Sequence, residues 1–191
     1  MTERIGILGG TFDPPHIAHL IIANEVYSQL GLEKIIFLPN SIPPHKRESG
    51  LVSAEQRVQM LKLATGSNPH FEVDPRELYR EGKSFSYDTM REMVREGTNQ
   101  AFYFIIGGDM VEYLPKWYKI EELLKLVTFV GVNRPNYSLR SDYPVLDVKV
   151  PEMDISSSFL RTKLRHGEPI DYYVPEKVAD YIKEHQLYEP K

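Results

Sequence analysis

GGTFDPPHIAH, residues 9–19, is the stretch on which the reading of this chain turns. It follows a short apolar run at residues 5–8 that reads as a strand buried on both faces. A helical pattern begins where it ends, at Ile17 or Ala18. A glycine-rich turn between a strand and a helix is where an open α/β sheet receives phosphate. Gly9 and Gly10 let backbone amides approach a ligand with no Cβ in the way. Thr11 offers a hydroxyl, and Phe12 continues the same loop. Pro14 and Pro15 force an extended entry and fix where the helix starts. His16 and His19 are three apart. If both are helical, they share a face near the positive end of the helix dipole. Such a loop suits a triphosphate. A plain helix cap with two surface histidines, or a metal site lacking an evident third ligand, fits the same residues. The segment is neither GxGxxG nor GxxxxGK[ST].

Outward from this loop, strand and helix patterns alternate. A helix is expected over residues 17–30, with Leu20, Ala23, Val26, Tyr27 and Leu30 on one side and Gly31 as its stop. A strand is expected at 35–38, then a Pro-, Asn- and Ser-rich loop over 39–52. Ser53 with Gln56 makes a capping box for a helix to about Thr65. Residues 71–83 read as one or two short strands and a turn. A helix follows at 87–96 and a buried strand at 102–106. Short helices are expected at 109–114 and 120–125, then strands at 127–132 and 145–150. Helices at 156–166 and 175–185 close the chain, the last with Pro175 at its first position. The alternation predicts a doubly wound, mostly parallel α/β sheet with C-terminal helices, built as a single domain over residues 1–191. Such sheets bind ligands at the carboxyl ends of their strands. Pro-Pro-His occurs twice, ending at His16 and at His45, each time after a strand. Parallel strands would bring both histidines to one edge.

The composition bounds the function classes. Hydrophobic residues are 41% and charged residues 26%, ordinary for a globular chain. Cysteine is absent, which removes disulfides, thiolate nucleophiles and cysteine zinc sites together. That fits a reducing cytoplasm. The N-terminus carries an acid and a base and no long apolar run, so neither a signal peptide nor a membrane span is expected. A net charge of −4 argues against bulk nucleic-acid binding but allows a local basic pocket for a small anion.

GGTFDPPHIAH resembles the (T/H)xGH signature of the nucleotidyltransferase superfamily, with Ala18 where the family has glycine. ISSSFLR, residues 155–161, resembles that superfamily's ISSTxxR motif, with Ser158 in place of threonine. PNSIPPHK at 39–46, GKSFSYDT at 82–89 and the FIIGGDMVEYLPKWYKIEEL stretch at 104–123 resemble segments of the bacterial nicotinate mononucleotide adenylyltransferases. The resemblance covers nearly the whole chain and implies a Rossmann-like nucleotidyltransferase fold. It implies transfer of the adenylyl group of ATP to nicotinate mononucleotide, giving nicotinate adenine dinucleotide and pyrophosphate in NAD biosynthesis. His19, His16 and Arg161 would be catalytic. Gly9, Gly10, Thr11, Phe12, Gly107, Asp109, Arg134, Ser156 and Ser157 would join them in holding ATP. His45, Lys46, Ser86, Trp117 and Tyr118 would hold the mononucleotide. Mg²⁺ would arrive with ATP and need little dedicated protein ligation.

Each assignment has a plainer counterpart. Ser156 and Arg161 fit an ordinary capped helix with a surface arginine, and Ser86 fits a helix cap. His45, Lys46 and Arg47 fit a solvated basic loop. Trp117, the only tryptophan, fits core packing. Pantetheine-phosphate and glycerol-phosphate nucleotidyltransferases share the first signature, and nicotinamide mononucleotide differs from nicotinate mononucleotide only by an amide. A silent nucleotide sensor and a zinc hydrolase are the non-transferase alternatives. A homo-oligomer is left open.

Overall fold

The structure, a computed structural model, describes residues 2–40, 52–80, 84–133 and 141–189. Its centre is a six-stranded sheet: β1 Glu3–Gly10, β2 Lys34–Pro39, β3 Phe71–Val73, β4 Gln100–Gly107, β5 Val127–Val132 and β6 Val145–Val148. The strand order is β3-β2-β1-β4-β5-β6, and every neighbouring pair is parallel. The chain winds outward from β1 to β3, then returns to lay β4 on the other edge of β1. The direction of winding therefore reverses between β1 and β4, which opens a crevice at their carboxyl ends.

Period-two side-chain alternation builds two cores, one on each face. Ile5, Ile7, Ile36, Leu38, Phe102, Phe104, Ile106, Val127 and Phe129 point to one face. Leu8, Ile35, Phe37, Ile105, Val130, Val132 and Val148 point to the other. The second face is covered by α1 Ile17–Leu30 through Ala23 and Val26, and by α2 Ala54–Thr65 through Leu61. The first is covered by α3 Ser86–Glu96, α4 Gly108–Tyr113 and α5 Ile120–Leu123. Burial on both faces explains why the strands read as continuous apolar runs.

Helix ends follow local chemistry. Gly31 sits at φ 57° and donates its N–H back to the last turn of α1, so that helix stops where only glycine is unstrained. Ser53 and Gln56 form the expected capping box ahead of α2. The closing helices are α6 Ser157–Arg165 and α7 Glu176–Glu184. Pro175 is the residue before α7 rather than its first helical residue. That difference is one position, and proline serves either place because it has no N–H to lose. The strand expected to reach residue 150 ends at Val148.

A third apolar cluster joins Met60 and Ala64 of α2 to Leu160 of α6, Val178 and Ile182 of α7, and the tail residues Leu187 and Tyr188. It brings the chain's last turn back beneath the loop that follows β1. Among the described residues no helix is long and apolar enough to cross a membrane.

Candidate active site

The loop after β1 is held open at the crevice by packing below it. A Cβ at Gly10 would lie 3.0–3.2 Å from the Phe12 ring, so a side chain there would have to push the ring aside by a few tenths of an ångström. Phe12 has φ 50° and its side chain is buried. Its ring meets His19 edge-on, with centroids 4.9 Å apart, and also packs against Phe37. What Phe12 can offer a ligand is therefore its main chain, while its ring is a wedge that orients His19.

His16 is not helical. It occupies the capping position of α1 with extended backbone, φ −142° and ψ 170°. Its N–H donates to Nδ1 of His19 at 3.1 Å, and the two imidazoles stack with centroids 3.7 Å apart. The consequence for His19 is chemical. With Nδ1 accepting, the proton of the neutral ring sits on Nε2, which is then a donor. His16 is buried and His19 is half-buried, so His19 is the more accessible of the two rings. The Ile17 N–H, the next free donor of the helix, is taken by the Tyr173 carbonyl at 2.8 Å.

The late motif lands on the same loop. Ser156 caps α6 by accepting from the Phe159 N–H. Ser157 Oγ donates to the Pro14 carbonyl at 2.9 Å. Arg161 is buried, and its Nη1 donates to the Asp13 carbonyl at 2.8 Å while Nη2 reaches Ser158 Oγ at 3.2 Å. Arg161 thus grips the loop's backbone rather than standing on the surface.

Asp13 lies in the middle of this assembly and is 1% exposed. Tyr188 donates its hydroxyl to Asp13 Oδ1. Burial raises the Asp13 carboxyl above its ordinary pKa, against the pull of Tyr188, Arg161 and Arg57. Burial likewise pushes the Tyr188 hydroxyl upward, reinforced by the Asp13 charge. Arg57, 2% exposed, donates from Nη1 to the Thr11 carbonyl at 2.7 Å and to the Asn40 carbonyl at 2.9 Å. Arg57, Asn40 and Tyr188 were not singled out in the sequence. The available signal was Arg57's phase, four residues before Leu61 on the buried side of α2.

At the neighbouring strand end, Gly107 caps α4, Gly108 is buried and Asp109 lies half-buried in the first turn. They lie across the reversal point from Gly9 and Gly10. Trp117 is half-buried and edge-on to Phe104 and Phe129, with centroids 5.8 Å away in each case. A Cβ at Gly9 would sit 3.7 Å from the Phe104 ring. Phe104 therefore spans from the end of β1 to Trp117. The exposed Tyr118 ring lies 4.5 Å from that of Phe85. Phe85, not Ser86, holds the capping position of α3 and provides no side-chain cap; Ser86 is the first helical residue. Phenylalanine has no side-chain acceptor to cap α3, and the Asp88 N–H donates instead to the Phe85 main-chain carbonyl at 3.0 Å. Below this turn, Arg80 donates to Thr89 Oγ1 at 2.7 Å and Thr89 donates to the buried Glu77 at 2.7 Å, which fixes that end of the helix. His45, Lys46, Arg47 and Arg134 lie outside the described residues. Among the described residues, no group of three or more His, Cys, Asp or Glu side chains is placed to hold a metal ion.

The cytidylyltransferase-like family matches residues 7–163. The probable nicotinate-nucleotide adenylyltransferase of Listeria innocua is 58% identical over 191 residues, covering all of both chains. That of Bacillus anthracis is 55% identical over 187 residues, 98% of this chain and 99% of its own. Among solved structures, the Plasmodium falciparum nicotinic acid mononucleotide adenylyltransferase complexed with NaAD superposes with a TM-score of 0.79 at 21% identity, covering 97% of each chain.

Proposed function

Because the chain belongs to the cytidylyltransferase-like family, and along its whole length to the nicotinate-nucleotide adenylyltransferases within it, we infer that it carries adenylyl from ATP to nicotinate mononucleotide. The 5′-phosphate of the mononucleotide attacks the α-phosphorus of ATP. The bond to the β-phosphate oxygen breaks, pyrophosphate leaves, and nicotinate adenine dinucleotide forms. The attacking group needs no general base, because a phosphate monoester with a second pKa near ~6 is mostly dianionic at neutral pH. Alignment and relief of charge repulsion are what the protein must supply.

The observation that carries this reading is the meeting of the two signatures: Ser157 and Arg161 bonded to Pro14 and Asp13, directly before the stacked His16 and His19. In our reading, His19 Nε2–H stabilises charge on the transferring phosphate. His16, Thr11, and the backbone of Gly9, Gly10 and Phe12 hold the phosphates of ATP, with Ser156 and Ser157 at the start of α6. Arg161 adds a fixed positive charge behind the loop. Gly107 admits the nucleoside closely, Asp109 accepts from its ribose hydroxyls, and Arg134 meets adenine. On the acceptor side, His45 and Lys46 take the mononucleotide phosphate. Trp117 and Tyr118 border the pyridine ring, and Ser86 with the amides at the start of α3 faces the carboxylate. Donors without a matching acceptor favour nicotinate over nicotinamide. Mg²⁺ bound to the triphosphate would supply charge neutralisation for the pyrophosphate, without a dedicated set of protein ligands. The donor set suits that arrangement, since the Asp13 carboxyl is buried against Tyr188. The cytoplasm is the proposed location, in keeping with a chain that has no cysteine.

Pyrophosphate release with ATP and each acceptor in turn tests the proposal. Release is expected with nicotinate mononucleotide, much less with nicotinamide mononucleotide, and none with phosphopantetheine. Release with phosphopantetheine alone, or with no acceptor at all, overturns it.

A further inference from the structure

The match to the family ends at residue 163, yet the loop after β1 takes two of its holds from further along the chain. The Tyr173 carbonyl accepts from the Ile17 N–H at 2.8 Å. The Tyr188 hydroxyl donates to Asp13 Oδ1. The segment that carries Tyr188 is itself anchored. Val178, Ile182, Leu187 and Tyr188 pack with Met60 and Ala64 of α2 and Leu160 of α6. The Leu187 N–H donates to the Ile182 carbonyl at 2.9 Å. The turn after α7 passes twice through left-handed backbone, with Gln186 at φ 49° and Tyr188 at φ 66°. Residues with a Cβ are disfavoured there. What this turn delivers is a hydroxyl to a carboxyl that is 1% exposed. Phenylalanine would fill the same apolar slot, so packing alone does not account for the oxygen.

The other bonds to this stretch go to main-chain oxygens: Arg57 to Thr11, Arg161 to Asp13 and Ser157 to Pro14. They locate the loop. The bond from Tyr188 reaches a side chain and so fixes the direction in which residue 13 points. Residue 13 follows Phe12, whose ring meets His19 edge-on. It precedes Pro14 and Pro15, which lead into the stacked His16. Resting on the assignment of this loop to ATP, we propose that Tyr188 is a positioning residue that sets the ATP-binding form of the loop through Asp13. The chain's last turn, beyond the stretch matched by the family, thereby acts on the nucleotide site.

The test uses calorimetry with an ATP analogue bridged by methylene between its α- and β-phosphorus. Its Kd is measured without acceptor for the wild type and Tyr188→Phe, which keeps the ring and removes one oxygen. The KM for ATP, the KM for nicotinate mononucleotide and the melting temperature are recorded on the same preparations. Tyr188→Phe is expected to weaken the analogue on the order of 10-fold, within what one hydrogen bond to a charged group can produce. The KM for ATP should rise with it, and the KM for the mononucleotide should stay nearly constant. If Tyr188→Phe does not fold, Asp13→Asn is compared with the double variant Asp13→Asn/Tyr188→Phe, in which removal of the hydroxyl leaves no buried charge unpaired. The same weakening is expected there. A lower melting temperature with the analogue's affinity unchanged makes Tyr188 merely structural and overturns the proposal. So does an equal weakening of both substrates, because the tail would then support the fold at large and not this loop. A wild type that binds no analogue, or that releases no pyrophosphate with both substrates, is a different failure, that of the adenylyl-transfer reading itself.

Discussion

Arg161 donates to the main-chain oxygen of Asp13 at 2.8 Å, across 148 positions of sequence. That bond, with the one from Ser157 to Pro14, makes the start of α6 the back wall of the loop after β1. A hydrogen bond from a charged donor contributes about 1.5–3 kcal/mol. Arg161→Met is therefore expected to lower the melting temperature and raise the KM for ATP several-fold, with a smaller effect on the acceptor. Arg161→Lys should restore part of both. Steady-state kinetics with each substrate varied separately would check this. Equal changes in both KM values would detach Arg161 from the ATP side.

His19 is oriented from two directions, by the His16 N–H on Nδ1 and by the Phe12 ring at its edge. Loss of one preorganised donor costs on the order of 10²–10³ in turnover. His19→Ala is expected to lose about that much kcat while keeping its circular dichroism spectrum. Near-normal turnover in a folded variant would remove His19 from the transition state.

Trp117 is the only tryptophan, and one side of it is already spent on Phe104 and Phe129. Its exposed part is what a pyridine ring can reach. Intrinsic fluorescence is expected to change on addition of nicotinate mononucleotide and to stay nearly constant with ATP alone. Trp117→Phe, which preserves much of the packing, should raise the KM for the mononucleotide more than that for ATP. A fluorescence response confined to ATP would place the indole elsewhere in the reaction.

Burial holds the Asp13 carboxyl above its ordinary range, despite Tyr188, Arg161 and Arg57. A carboxyl whose folded pKa exceeds its unfolded value stabilises the fold when protonated, and that contribution is lost as pH rises through the raised value. The Asp13→Asn variant keeps an acceptor for Tyr188 and does not titrate. The melting temperature of Asp13→Asn minus that of the wild type is thus expected to increase from pH ~4 upward. Thermal melts at a series of pH values measure the slope. A flat or decreasing difference would show that ionisation of Asp13 is not opposed by the fold.

The helix from Ile17 to Leu30 and the strand from Val127 to Val132 were legible residue for residue. So were the parallel, doubly wound arrangement and the capping box at Ser53. These depend on hydrophobic period, glycine stops and side-chain caps, which act within one or two turns of chain. The five motifs, in order, identified the family from the same linear information. Other features required the folded chain: the Phe12 ring in the core, His16 before rather than within its helix, and Arg57 beneath two strand exits. The joining of Tyr188 to Asp13 across 175 positions belongs with them. A buried polar group is tolerated only where its partners are, and those partners come from segments brought together by the crossovers of the sheet. Local sequence determined which elements form and where the family's motifs lie. The tertiary structure decided which of their side chains stay partly exposed, as His19 does, and which are buried and bonded to the loop, as Arg161 is.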